Sequence, residues 1–211
     1  LRNLIVEQCN GDNNGSGIYL RGAKTILENL VIQNNFKGGI ELSAGGAHAI
    51  LRDVLITNNG SKPGIFIYDT GIEIYNSEIS NNDYGGIVYS GVGTSPNIFV
   101  NVLFLNNGNA TNSSNFGGAI NFSIQGADVA INNCTFYNNW GSSDIRSDGG
   151  FFNNNYAGNN IEITNSIFYE SPQNTSRFAI TADQISDLLA KDSIYINYCI
   201  FNEDTATSLS I

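Results

Sequence analysis

The chain has 211 residues, with 9 Lys and Arg against 19 Asp and Glu and a net charge of −10. That balance argues against nucleic acid as a partner, because an acidic protein repels a polyanion. No apolar run reaches the roughly 18 residues that a membrane-crossing helix needs, so this segment is not expected to insert into a membrane.

The first element opens immediately, in Leu1-Arg2-Asn3-Leu4-Ile5-Val6-Glu7-Gln8-Cys9, and its pattern returns seven more times. The later copies begin at Leu27, Leu51, Ile74, Phe99, Ile131, Ile163 and Ile196, at spacings of 26, 24, 23, 25, 32, 32 and 33 residues. In each copy the first, fourth and sixth positions are small or apolar, as in Leu51, Val54 and Ile56. Alternation with period two puts the fourth and sixth side chains on one face of a strand. The third position is Asn or Asp in seven copies: Asn3, Asn29, Asp53, Asn76, Asn101, Asn133 and Asn165. These are the non-glycine residues that best tolerate positive φ, so a corner between two short strands is expected there, with the Asn side chains stacked as a ladder. The eighth copy departs from this, with Tyr198 in that place.

Residues 10–26 hold a turn marked by Gly11, Asn13, Asn14 and Gly15, then Gly17-Ile18-Tyr19-Leu20. Equivalent segments follow the next copies as Gly39-Ile40-Glu41-Leu42, Gly64-Ile65-Phe66-Ile67, Gly86-Ile87-Val88-Tyr89 and Ala119-Ile120-Asn121-Phe122. Each repeat thus carries about three short strands. One repeat cannot bury its own apolar face, but stacked repeats bury a continuous column, which is the logic of solenoids. The expected fold is all-β: a single-domain, right-handed parallel β-helix of about eight coils spanning 1–211. The chain has no Met and opens inside a strand motif, so it reads as a fragment of a longer secreted or surface protein with flanking domains.

The repeated Gly38-Gly39-Ile40, Gly85-Gly86-Ile87 and Gly117-Gly118-Ala119-Ile120, with the Asn-rich strands, resemble right-handed β-helix repeats of the pectin-lyase-like superfamily. The likeness is strongest to non-catalytic bacterial surface and secreted forms, including polymorphic-outer-membrane-protein-like repeats. It implies an extracellular or cell-surface location and a role in binding or display, of adhesin or carbohydrate-binding type. It also implies that substrate would lie along the outward face of the second strand. There Tyr19, Phe66 and Tyr68 offer aromatic faces for the sugar rings of a polysaccharide or cell-surface glycan.

A polysaccharide lyase is the alternative. It needs a base, an acid and a positive charge or Ca²⁺ against the substrate carboxylate, roles that Arg21, Lys24 and Glu41 could take. Nineteen acids and nine bases must sit somewhere on the surface, so scattered solvated side chains are the competing reading, and a structural spacer in a large adhesin is the third. Without the lyase reading no cofactor and no metal are expected. His48 is placed in a loop, in Ser43-Ala44-Gly45-Gly46-Ala47-His48, as a solvated residue. The outward positions of later coils (Val88, Ser90, Asn121, Ser123) cannot transfer protons near neutral pH, which leaves Arg146, Asp148 and Asp183 as the remaining ionisable group.

The three cysteines are read as structural. Cys134 and Cys199 share one inward position two coils apart, about 9.6 Å, too far for a disulfide. Loops at 107–116 and 148–160, the second carrying Phe151, Phe152 and Tyr156, are candidate contact surfaces. A short helix is expected at 183–191, where Ile185, Leu188 and Leu189 have helical spacing.

Overall fold

A computed structural model of the chain describes residues 1–11, 16–22, 24–43, 48–92, 96–108, 118–125, 127–140, 143–147, 160–169, 178–182, 193–201 and 209–210. All assigned strand pairs among them are parallel, and each strand pairs with its counterpart in the next repeat. The first sheet follows the path Arg2–Glu7, Lys24–Gln33, His48–Thr57, Gly71–Ser80, Asn97–Leu105, Asp128–Asn132, Asn160–Thr164 and Ser193–Asn197. The second has 8 strands, from Ile18–Arg21 through Ile40–Ser43, Ile65–Tyr68, Ile87–Val92, Ile120–Gln125, Ser143–Ser147 and Phe178–Ala182 to Leu209–Ser210. One strand of each sheet per repeat gives the eight coils that the periodicity predicts. In coils six to eight the first-sheet strand breaks at the corner, leaving Thr135–Tyr137, Ile167–Tyr169 and Ile200–Phe201 as separate pieces. These are the third strands of their coils.

All seven third-position residues have φ between 49° and 56°, and Tyr198 in the eighth copy adopts the same conformation at 54°. The corner is therefore a backbone requirement of every coil, met even by a bulky aromatic residue at the cost of some strain. The expected ladder of third-position side chains is only pairwise and lies in solvent, with Asn29 Nδ2 donating to Asn3 Oδ1 at 2.7 Å and Asn101 Nδ2 to Asn76 Oδ1 at 3.0 Å. Replacing Asn101 by Val should lower stability by roughly 1–3 kcal/mol, from positive-φ strain and the lost bond. Urea unfolding checks this, and an unchanged midpoint would contradict the corner's energetic role.

The continuous ladder is at the ninth position instead. Asn35, Asn59, Asn82, Asn107 and Asn139 are all buried, and four successive Nδ2–Oδ1 hydrogen bonds of 3.0 Å link them across coils two to six. The same Oδ1 atoms accept the ninth-position backbone N–H of the preceding coil, at 3.1 to 3.3 Å. Each Nδ2 also donates back to a strand carbonyl, as in Asn82 to Ile56 at 3.1 Å. Burying an amide is costly unless every donor and acceptor is used, and here they are. The repeated glycines follow from this packing: a Cβ at Gly64 would lie 2.7 Å from Asn82 Nδ2, and one at Gly39 2.6 Å from the Gly64 carbonyl.

Inside the stack, fourth-position residues Val54, Ser77, Val102, Cys134 and Ser166 are buried, as expected, and Cys199 at the last coil is half-buried. Ser77 and Ser166 donate to the carbonyls of Tyr75 and Thr164 two residues back, at 2.8 and 2.9 Å. The thiols of Cys134 and Cys199 make the same contact at 3.4 Å. All three cysteines are free. Burial pushes the Cys134 thiol up to about 11, so it stands in for serine rather than acting as a nucleophile. Sixth-position side chains change from aliphatic to aromatic along the axis, ending in the stack Phe104, Phe136, Phe168 and Phe201 with ring centroids 4.9, 4.5 and 5.0 Å apart.

Candidate functional site

The register of the second sheet sets Tyr19, Glu41, Phe66, Val88, Asn121 and Arg146 in one line across coils one to six. Arg21 lies beside Ser43, and Tyr68 beside Ser90. Tyr19 and Tyr68 are 40% and 44% exposed, so their rings are available to a ligand. Tyr19 and Phe66 are two coils apart, roughly 10 Å. Beyond Phe66 the line closes: Val88 is 8% exposed and Asn121 fully buried, although both point to the outer side of the strand.

Glu41 occupies the middle of this strip and is already engaged. Its Oε2 accepts from Lys62 Nζ at 2.8 Å and from Ser16 Oγ at 3.3 Å. Lys62 also sits over the Phe66 ring, 5.9 Å from its centroid. Ser61, Lys62, Pro63, Phe66, Tyr84 and Val88 line a cavity of about 220 Å³. Two aromatic rings on an apolar floor with one ammonium at the rim suit the apolar face of a sugar ring. Lys62 and Tyr84 were not legible as site residues because they belong to the turns between strands, which the strand pattern does not orient.

Lys24 is not in this strip. It opens a first-sheet strand and pairs in register with His48, so the structure brings together Arg21 and Glu41 on one sheet but separates Lys24 from them. His48 likewise begins a strand, contrary to the loop expected for it. It is half-buried, and its Nε2 lies 3.0 Å from Glu73 Oε1. The other oxygen of Glu73 accepts from the Tyr75 hydroxyl at 2.8 Å. That bond chiefly holds the Glu73 carboxyl below its ordinary range, while burial and the Glu73 bond raise the Tyr75 phenol. Gly45 and Gly46 suggest a turn that includes His48, whereas in-register pairing with Lys24 and Gly71 makes His48 the first residue of its strand.

Phe151, Phe152, Tyr156, Asp148, Asp183 and the helix expected at 183–191 lie outside the described residues, as do the side chains of Arg146 and Ser123. Among the described residues no group of three or more His, Cys, Asp or Glu gathers as a metal site would require.

A family model described as a right handed beta helix region matches residues 2–211. No curated protein and no solved structure matches the chain. Eight parallel coils, in-register strands in two sheets and a family match over nearly all 211 residues agree on one assignment: the chain belongs to the right-handed β-helix family.

Proposed function

We propose that this β-helix serves binding or display outside the cell, and that it takes a carbohydrate along the outer face of the second sheet. The observation that carries this reading is the strip formed by Tyr19 and Phe66, with Tyr68 beside it and the apolar cavity between Phe66 and Tyr84. Aromatic faces on a rigid sheet lose little entropy when a sugar stacks on them; Glu41, held by Lys62 and Ser16, adds an acceptor at a fixed position, and exposed Arg21 adds donors. The lyase alternative finds less support. Glu41 is held in an ion pair with Lys62, and Lys24 belongs to the other sheet.

Glycan-array screening followed by calorimetry tests the proposal. Changing Tyr19, Phe66 and Tyr68 together to Ala should weaken the best glycan at least tenfold, about 1.4 kcal/mol. Binding unaffected by the triple change would move the site elsewhere. Release of unsaturated sugars from pectate or alginate, seen as new ultraviolet absorbance and lost in Arg21→Ala, would replace the binding role with the lyase one.

A further inference from the structure

The outer face of the first sheet holds a second group of polar side chains that the carbohydrate strip does not use. Its register defines a grid: Lys24, Ile26 and Glu28 in coil two lie beside His48, Ile50 and Arg52 in coil three. Gly71, Glu73 and Tyr75 of coil four follow. Both carboxylates in the grid are engaged locally. Glu28 pairs with Arg2 at 2.7 Å, and Glu73 is held by His48 and Tyr75. Among the described residues Lys24 and Arg52 make no ion pair of 4 Å or less, and both are exposed.

Arg52 is also placed in advance. Its guanidinium lies over the Tyr75 ring, 5.7 Å from the centroid, and that ring is itself fixed through Glu73 to His48 across the coil boundary. The chain His48–Glu73–Tyr75 thus supports the surface on which Arg52 rests, so less side-chain freedom is lost when the guanidinium meets an anion. Between the two cations lie Ile26, 45% exposed, and half-buried Ile50. Four residue steps of extended strand lead from His48, beside Lys24, to Arg52, which is about 13 Å. The face therefore presents a cation, an aliphatic floor and a second cation, in that order.

We propose that this face is a second ligand site, for an acidic polysaccharide carrying one carboxylate per disaccharide, laid along the strand direction with the apolar side of its neutral sugar on Ile26 and Ile50. Charge complementarity selects the anion, and the Arg52 fork matches a carboxylate bidentately. Charge density selects the spacing. Glu28 and Glu73 border the cations, and the protein carries a net charge of −10, so a densely sulfated chain, or a homopolymer with a carboxylate on every sugar, brings more repulsion than two cations offset.

Calorimetric titration of the whole chain tests this with three oligosaccharides of equal length: glucuronate alternating with N-acetylglucosamine, oligogalacturonate, and a heparin fragment. The alternating oligosaccharide is expected to bind, and Lys24→Ala with Arg52→Ala to weaken it at least tenfold. Tyr75→Ala, which removes the support for Arg52, should weaken it several-fold, whereas Tyr75→Phe, which keeps the ring, should weaken it less. The Tyr19, Phe66 and Tyr68 triple change should leave this affinity unaltered, so failure here is separable from failure of the second-sheet strip. The proposal is overturned by no binding of the alternating oligosaccharide, by equal or tighter binding of either competitor, or by affinity that the Lys24 and Arg52 changes do not alter.

Discussion

Asn82→Leu is expected to destabilise the protein by roughly 4 kcal/mol or more, well beyond the effect of Asn101→Val. Leu has nearly the shape of Asn, so the change isolates hydrogen bonding from packing. Asn82 Oδ1 accepts from the backbone N–H and the side-chain amide of Asn59, and its Nδ2 donates to the Ile56 carbonyl and to Asn107 Oδ1. Asn107 Oδ1 keeps a bond from the Asn82 backbone N–H, but the two Asn59 donors and the Ile56 acceptor lose their partner inside a dry core. Each such loss costs about 1–3 kcal/mol. The unfolding midpoint in urea provides the measurement. A loss no larger than that of Asn101→Val would mean that water enters the ladder and replaces the amide.

Which parts of this molecule were legible in the sequence follows from where periodicity speaks. The first, fourth and sixth positions alternate apolar with polar, so the inward columns through Leu27, Leu30 and Ile32 and their equivalents could be read directly, as could the positive-φ corners at Asn29 and Asp53. The ladder was not read correctly, for a physical reason. Asn34-Asn35 and its repeats are adjacent identical residues that look like turn chemistry, yet the first of each pair takes positive φ at the surface while the second turns inward. Composition alone cannot assign those two fates. A clue was present: the glycine before Ile40, Ile65 and Ile87 recurs at a nearly fixed distance after the pair, as close packing against a buried amide requires.

The site shows the same division. Tyr19, Glu41 and Phe66 could be placed in one line because they occupy equivalent positions within their coils. Lys62 on Glu41, and His48 on Glu73, depend on side-chain reach across coils. In a solenoid with insertions of varying length, the strand pattern fixes which residues are neighbours but leaves the turn residues free to approach from either side.

Phe136→Ala is expected to cost about 3–5 kcal/mol and to act unevenly along the axis. Phe136 is fully buried, with Phe104 4.9 Å away on one side and Phe168 4.5 Å on the other, both rings stacked nearly parallel to it. Removing the middle ring leaves a gap bounded by two rings, each fixed in its own coil, so neither can close it without moving backbone. A solenoid is held by nearest-neighbour contacts, and this gap lies where coils seven and eight join the rest. Those coils should therefore lose hydrogen-exchange protection well before coils two to four, whose aliphatic sixth-position residues Ile32, Ile56 and Ile79 are untouched. Phe136→Leu, which refills part of the gap, should recover a substantial share of both effects. Uniform loss of protection in all eight coils would show instead that the stack unfolds as one cooperative unit and that the aromatic column is not its weakest link.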